Sequence, residues 1–201
     1  MARATPAKVP QPDTHSVLLI GDMQVDFCPG GSLAVPGGDQ VVPTINSAVR
    51  VFHGNRYPIV AVRDWHPANH CSFAEQGGPW PVHCVQGSRG AQFHPDLVLP
   101  PGTSVVSKAT DQKKEAYSAF EGTTLDDRLR ELHAERLYVT GLATDYCVRH
   151  TVLDARRLGY RVVVLEDAIR GIDAKPGDSA RAIEEMRAAG AIIANSSAIG
   201  L

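Results

Sequence analysis

The 201-residue chain is expected to form a three-layer α/β/α fold around a mostly parallel six-stranded sheet of Rossmann-like kind. Three observations carry that expectation. Six short apolar runs rich in β-branched residues lack the polar alternation of a half-exposed sheet, so both faces of each strand should be covered. Helical periodicities lie between most of these runs. No internal repeat competes with that reading.

The first sixteen residues, MARATPAKVPQPDTHS, carry Pro6, Pro10 and Pro12 and are expected to be a flexible tail, with a single domain over 17–201. The runs are Val17–Ile20, Ile59–Val62, Ser104–Ser107, Leu137–Thr140, Val162–Leu165 and Ala191–Ala194. Val42, Ile45, Val49 and Phe52 recur at steps of three and four, with Pro43 tolerable in a first helical turn. Leu125, Leu129 and Leu132 repeat the pattern behind Thr124, a candidate N-cap. A third helix should run from near Asp145 to Arg157 and stop at Gly159. A fourth should span about 178–189, closed by Gly190. Residues 64–103 form a long irregular stretch, and a loop of that length inside one domain is usually functional.

Lys plus Arg number 20 and Asp plus Glu 22, a formal charge of -2. That balance gives no basic footprint for nucleic acid and no polybasic membrane patch. No apolar run approaches the roughly 20 residues of a membrane span, and the N-terminus lacks the apolar core of a signal peptide. A cytoplasmic location with reduced thiols is the expectation, so the four cysteines are read as buried, metal-bound or catalytic.

Ligands in open α/β sheets bind beyond the carboxyl ends of the strands. Asp22 follows the first run, Asp64 the second, Lys108 the third, and the segment carrying Cys147 the fourth. A cysteine in the first turn of a helix, with a lysine and a carboxylate nearby, has the parts of an activated nucleophile. Asp64 and His66 alternate by two and face one way in an extended segment, and His83 could complete a two-His, one-carboxylate site. Such ligation suits Zn, Fe or Mn. His70 stands open between a fourth ligand and a histidine bonded to the loop. Phe27, Trp80 and Tyr117 could line a slot for a flat substrate or could serve packing. Cys28, Cys71 and Cys84 lack CxxC spacing.

The segments GDMQVDFCPGGSLAV (21–35), RDWHPANHCSF (63–73), GPWPVHCVQGSRGAQFHP (78–95), SKATDQKKEAYSAFEGT (107–123) and GLATDYCVRHTVLDA (141–155) together resemble the nicotinamidases (pyrazinamidases) of the isochorismatase-like cysteine hydrolase family. The resemblance extends from residue 17 to the C-terminus. It implies a catalytic triad of Asp22, Lys108 and Cys147, and metal ligands Asp64, His66 and His83. It also implies an aromatic pocket of Phe27, Trp80 and Tyr117, bordered by Leu142, Ala143 and Tyr146. A cis peptide at Leu142–Ala143 is implied too, with the Ala143 and Cys147 amides as oxyanion donors. One divalent ion is implied, zinc ahead of iron or manganese. The implied reaction is hydrolysis of nicotinamide to nicotinate and ammonia through a cysteine thioester, with pyrazinamide as a second substrate, as a step of NAD salvage. The alternative is a family amidase for another small aromatic or heterocyclic amide. The partner expected is thus a small molecule, with a homo-oligomer left open. Gly21, where a larger apolar residue is usual, and Tyr146 beside the nucleophile depart from the family pattern.

Overall fold

The computed structural model describes residues 9–200. Six strands, β1 (Ser16–Gly21), β2 (Ile59–Asp64), β3 (Ser104–Lys108), β4 (Arg136–Leu142), β5 (Arg161–Arg170) and β6 (Ile192–Ala194), form one sheet in the order β3-β2-β1-β4-β5-β6. Every neighbouring pair is parallel. Four helices, α1 (Val42–Gly54), α2 (Leu125–Glu131), α3 (Arg149–Arg157) and α4 (Asp178–Ala188), complete the three layers. The α/β/α expectation therefore holds.

Side chains alternate across the sheet as the pleat requires. Leu18 and Ile20 join Ile45, Val49 and Phe52 of α1 in one buried cluster. Val17 and Leu19 join Leu125 and Leu129 of α2, Val152 of α3 and Met186 of α4 in the other. Strand order reverses direction between β1 and β4, which opens a crevice at their carboxyl ends, the usual ligand position of doubly wound sheets. The two strands approach closely there. A Cβ on Gly141, whose φ is +108°, would sit 1.9 Å from the Gly21 carbonyl oxygen, so only glycine fits.

The β2–β3 crossover is, as expected, the long loop, which carries only a 3-10 turn at Ala74–Gln76 and no α-helix. Several elements depart from the sequence reading for local reasons. β5 continues past Leu165 through the exposed Glu166 and Asp167, whose charges hide the extension from an apolar-run reading. The Thr124 side chain makes no capping bond; instead Thr123 Oγ1 accepts from the Leu125 amide at 3.2 Å. The third helix is preceded by a π-helical turn, Thr144–Val148, so Cys147 sits in that wider turn and not in α-helix proper. Such turns recur at functional sites.

The expected tail is also corrected over residues 9–16; residues 1–8 lie outside the described chain. Val9 packs on the core, and the Tyr138 hydroxyl donates to the Pro10 carbonyl at 2.7 Å. Gln11 Nε2 donates to the Ala198 carbonyl at 2.7 Å, and Arg136 pairs with Asp13 at 2.9 Å. Pro10 and Pro12 block regular structure here, but not anchoring through carbonyls and side chains.

Candidate active site

The four strand ends deliver their residues to one place. Asp22 follows β1, while Asp64 and Lys108 are paired in register as the last residues of β2 and β3. β3 is two strands from β1, roughly 10 Å at the spacing of neighbouring strands, so only a long side chain can reach the centre from it. Lys108 does so. Its Nζ lies 3.1 Å from Asp22 Oδ2 and 3.5 Å from Cys147 Sγ, donates to the Ala116 carbonyl at 3.3 Å, and bonds Asp64 Oδ1.

Lys108 is 1% exposed and Asp22 1%. Burial works against the ammonium, yet the Asp22 and Asp64 carboxylates prevail and hold Lys108 well above the ordinary lysine value. Burial pushes Asp22 up to about 6, against the pull of Lys108 and with a further push from Asp64. For Asp64 burial also favours the neutral acid, but Lys108 and then His66 outweigh it and keep the carboxyl below its ordinary value. Cys147 is held well above the ordinary thiol range, chiefly by burial; Lys108 opposes this while Asp22 and Asp64 reinforce it. These influences favour the neutral thiol at Cys147 before attack. Asp22 is the adjacent base that can take its proton.

Three residues at or beside these groups have left-handed backbone without being glycine: Asp22 (φ 49°), Cys84 after His83 (φ 47°) and Ala109 after Lys108 (φ 54°). Such conformations cost about 1–3 kcal/mol each and concentrate where geometry is held for a purpose. The Leu142–Ala143 peptide is cis, as expected from the resemblance. The Ala143 N–H meets no acceptor among the described residues and borders the pocket.

Asp64, His66 and His83 bring one ligand atom each to within 4.8 Å of one another. Both imidazoles are held from behind. His66 Nδ1 lies 3.2 Å from the His83 carbonyl and His83 Nδ1 lies 2.7 Å from the Pro81 carbonyl. A carbonyl only accepts, so each Nδ1 carries the proton and each Nε2 presents a lone pair, the usual arrangement of metal-ligating histidine. Burial pushes His66 down to about 4, partly offset by Asp64, which keeps the ring neutral. These donors fit a divalent cation. His70 differs. Its Nε2 donates to the Lys114 carbonyl at 3.0 Å, and its Nδ1 contacts Ser72 Oγ at 2.7 Å and accepts from the Ser72 amide at 3.3 Å. With both nitrogens engaged, His70 braces the loop.

A pocket of about 430 Å³, mouth included, opens between these groups. Phe27, Trp80, Tyr117, Leu142, Ala143 and Tyr146 all line it, as the sequence reading expects. The aromatics brace one another: Trp80 Nε1 donates to the Tyr117 hydroxyl at 2.9 Å, and Tyr146 lies edge-on to Trp80 with ring centroids 5.1 Å apart. The neighbouring Lys113 and Lys114 are exposed and take no part in this cluster.

Leu33, Glu115 and Ile172 also line the pocket, and the sequence reading missed them. It also missed Gln24. This fully buried amide accepts from the Asp64 N–H at 2.7 Å and donates to the Asp64 and Ala91 carbonyls at 2.8 and 2.9 Å. Asp26 similarly accepts from the Cys84 amide at 2.7 Å, beside His83. Both lie inside the 21–35 segment, close to Asp22, which is the one signal that could have flagged them.

The model of the isochorismatase domain family matches residues 16–198. The chain belongs to that family. Among curated relatives, the Escherichia coli (strain K12) nicotinamidase is 45% identical over 197 residues, covering 88% of this chain and 92% of its own. Among solved structures, a Pyrococcus horikoshii pyrazinamidase in complex with zinc is 50% identical with a TM-score of 0.87, covering 90% of this chain and 99% of its own. An L. infantum protein in complex with nicotinate is 41% identical, also with a TM-score of 0.87, covering 94% and 97%. As in any family of this fold, the site and not the sheet decides the chemistry. Among the described residues no helix is long and apolar enough to cross a membrane.

Proposed function

We propose that this isochorismatase-family chain is a metal-dependent nicotinamidase that hydrolyses nicotinamide to nicotinate and ammonia through a thioester on Cys147. The observation that carries the reading is the single Lys108 ammonium touching Asp22, Asp64 and Cys147 at once, because it joins a nucleophile, its base and a metal-ligand set in one pocket. Relatives named nicotinamidase, and neighbours solved with zinc and with nicotinate, support the substrate and the ion.

In this reading the flat ring is sandwiched by Phe27, Trp80 and Tyr117. Asp22 takes the Cys147 proton as Sγ attacks the amide carbon, which offsets the unfavourable resting thiol. The oxyanion that forms is received by the Ala143 and Cys147 amides. Asp22 returns its proton to the departing nitrogen, ammonia leaves, and a nicotinoyl thioester remains. Asp22, again ionised, then takes a proton from water as it attacks the thioester, and nicotinate leaves as the thiol reforms. Lys108 keeps Asp22 in place and balances its charge throughout. Asp64, His66 and His83 would hold the divalent ion, zinc first, and when bound it supplies a positive template that fixes the ring.

Incubation of the purified protein with nicotinamide and zinc should release nicotinate and ammonia in equal amounts, and pyrazinamide should behave likewise. No turnover with zinc, iron or manganese supplied sinks the proposal. Turnover of some other heterocyclic amide, with none of nicotinamide, would replace it by the broader amidase reading.

A further inference from the structure

We propose that Asp145 is a positioning residue that fixes Ile172 as a wall of the pocket, and that this pair sets which ring substituents the site admits. The inference rests on the amide-hydrolase reading above.

Asp145 lies two residues before Cys147 in the π-helical turn, and its side chain is buried. Each carboxylate oxygen accepts one main-chain N–H of a distant segment: Oδ1 from Ile172 at 3.0 Å and Oδ2 from Asp173 at 2.9 Å. That segment joins β5 to α4 and has no sheet or helix ladder of its own to place it. It is tied at a second point, because Asp173, with φ 51°, accepts from the Ser179 amide at 2.8 Å and the Ser179 hydroxyl at 2.7 Å in the first turn of α4. The approach is tight enough that a Cβ on Gly171 would lie 1.9 Å from Ser179 Oγ and 3.0 Å from Asp145 Oδ1.

Ile172 is half-buried and lines the same pocket as Cys147. Phe27, Trp80, Tyr117 and Tyr146 give that pocket flat aromatic faces, which tolerate any planar ring. A branched aliphatic side chain is a steric edge, and it discriminates only if its backbone is held still. Only a carboxylate can accept at both oxygens; an asparagine there would turn an N–H against one of the two amides. The Asp145 clamp therefore couples the position of the nucleophile turn to the position of the wall.

The test compares kcat/KM for nicotinamide and for its 2-, 4-, 5- and 6-methyl derivatives in the wild type, Ile172→Ala, Asp145→Asn and the double variant. Using ratios between amides cancels any loss common to all of them from disturbing Cys147. Ile172→Ala should raise the ratio for at least one methyl position by about tenfold, the scale of one methyl in an apolar pocket. Asp145→Asn should raise the ratio at that same position by several-fold, and the double variant should do no more than Ile172→Ala alone. Uniform losses, a shift at a different ring position, or independent additive effects overturn the proposal. Should Asp145→Asn fail to fold, amide hydrogen exchange on the wild type decides: slow exchange at Ile172 and Asp173 is expected, and exchange at the rate of exposed amides overturns the clamp. A wild type inert to nicotinamide would instead overturn the function reading.

Discussion

Gln24→Leu removes a clamp while nearly keeping its volume. In the wild type the Gln24 amide satisfies three buried groups: the Asp64 N–H, the Asp64 carbonyl and the Ala91 carbonyl. A buried polar group left without a partner costs about 1–3 kcal/mol, so taking the lower half of that range for three gives roughly 3–6 kcal/mol. In a chain of this size 1 kcal/mol moves Tm by about 2–4 °C, so melting should fall by roughly 6–24 °C. Asp64 is also a proposed metal ligand, and loss of support behind a ligand typically costs about 10–100-fold in metal affinity. The assay is thermal melting by circular dichroism together with zinc titration of the purified variant. Tm within about 2 °C of wild type and unchanged zinc affinity would refute the assignment of Gln24 to Asp64.

Two further outcomes follow from the geometry. Asp22 acts as the base only when ionised, and burial raises it to about 6, so kcat/KM should climb with pH through about 6, falling about tenfold per unit below it. The sign for stability is opposite: the folded chain binds an extra proton between about 4 and 6, and that contribution is lost as pH rises through about 6. A profile flat from pH 5 to 7 would contradict the base assignment. His66→Ala should lose bound metal by elemental analysis, while His70→Ala should keep it and lose only stability, because both His70 nitrogens already bond the loop. Equal metal loss in the two variants would reverse that division.

The sheet was legible because its strands are nearly uninterrupted apolar runs; each of the six overlaps an observed strand with its ends within two residues, save at β5. There Glu166 and Asp167 break the run although Ala168 and Ile169 return to the interior. Asp22, Asp64, Lys108 and Cys147 were legible because each lies at or just past a strand end, and parallel strands deliver such residues to one edge; His66 and His83 were legible from the Asp-x-His spacing and the His-bearing loop. Gln24, Asp145 and Ile172 were not, since their roles depend on hydrogen bonds to residues 27 to 67 positions away. No local pattern encodes such a partner. The surroundings of Cys147 were only half legible for a related reason: proximity to Lys108 can be inferred from strand ends, whereas the desolvation that opposes it comes only with packing.

The central claim is that Cys147 carries the acyl group. Rapid quench of the wild type with nicotinamide, followed by intact-mass and peptide analysis, should find a nicotinoyl adduct on Cys147. Cys147→Ala should show neither adduct nor ammonia release. Turnover by Cys147→Ala, or an adduct on Cys28, Cys71 or Cys84 instead, would contradict the account.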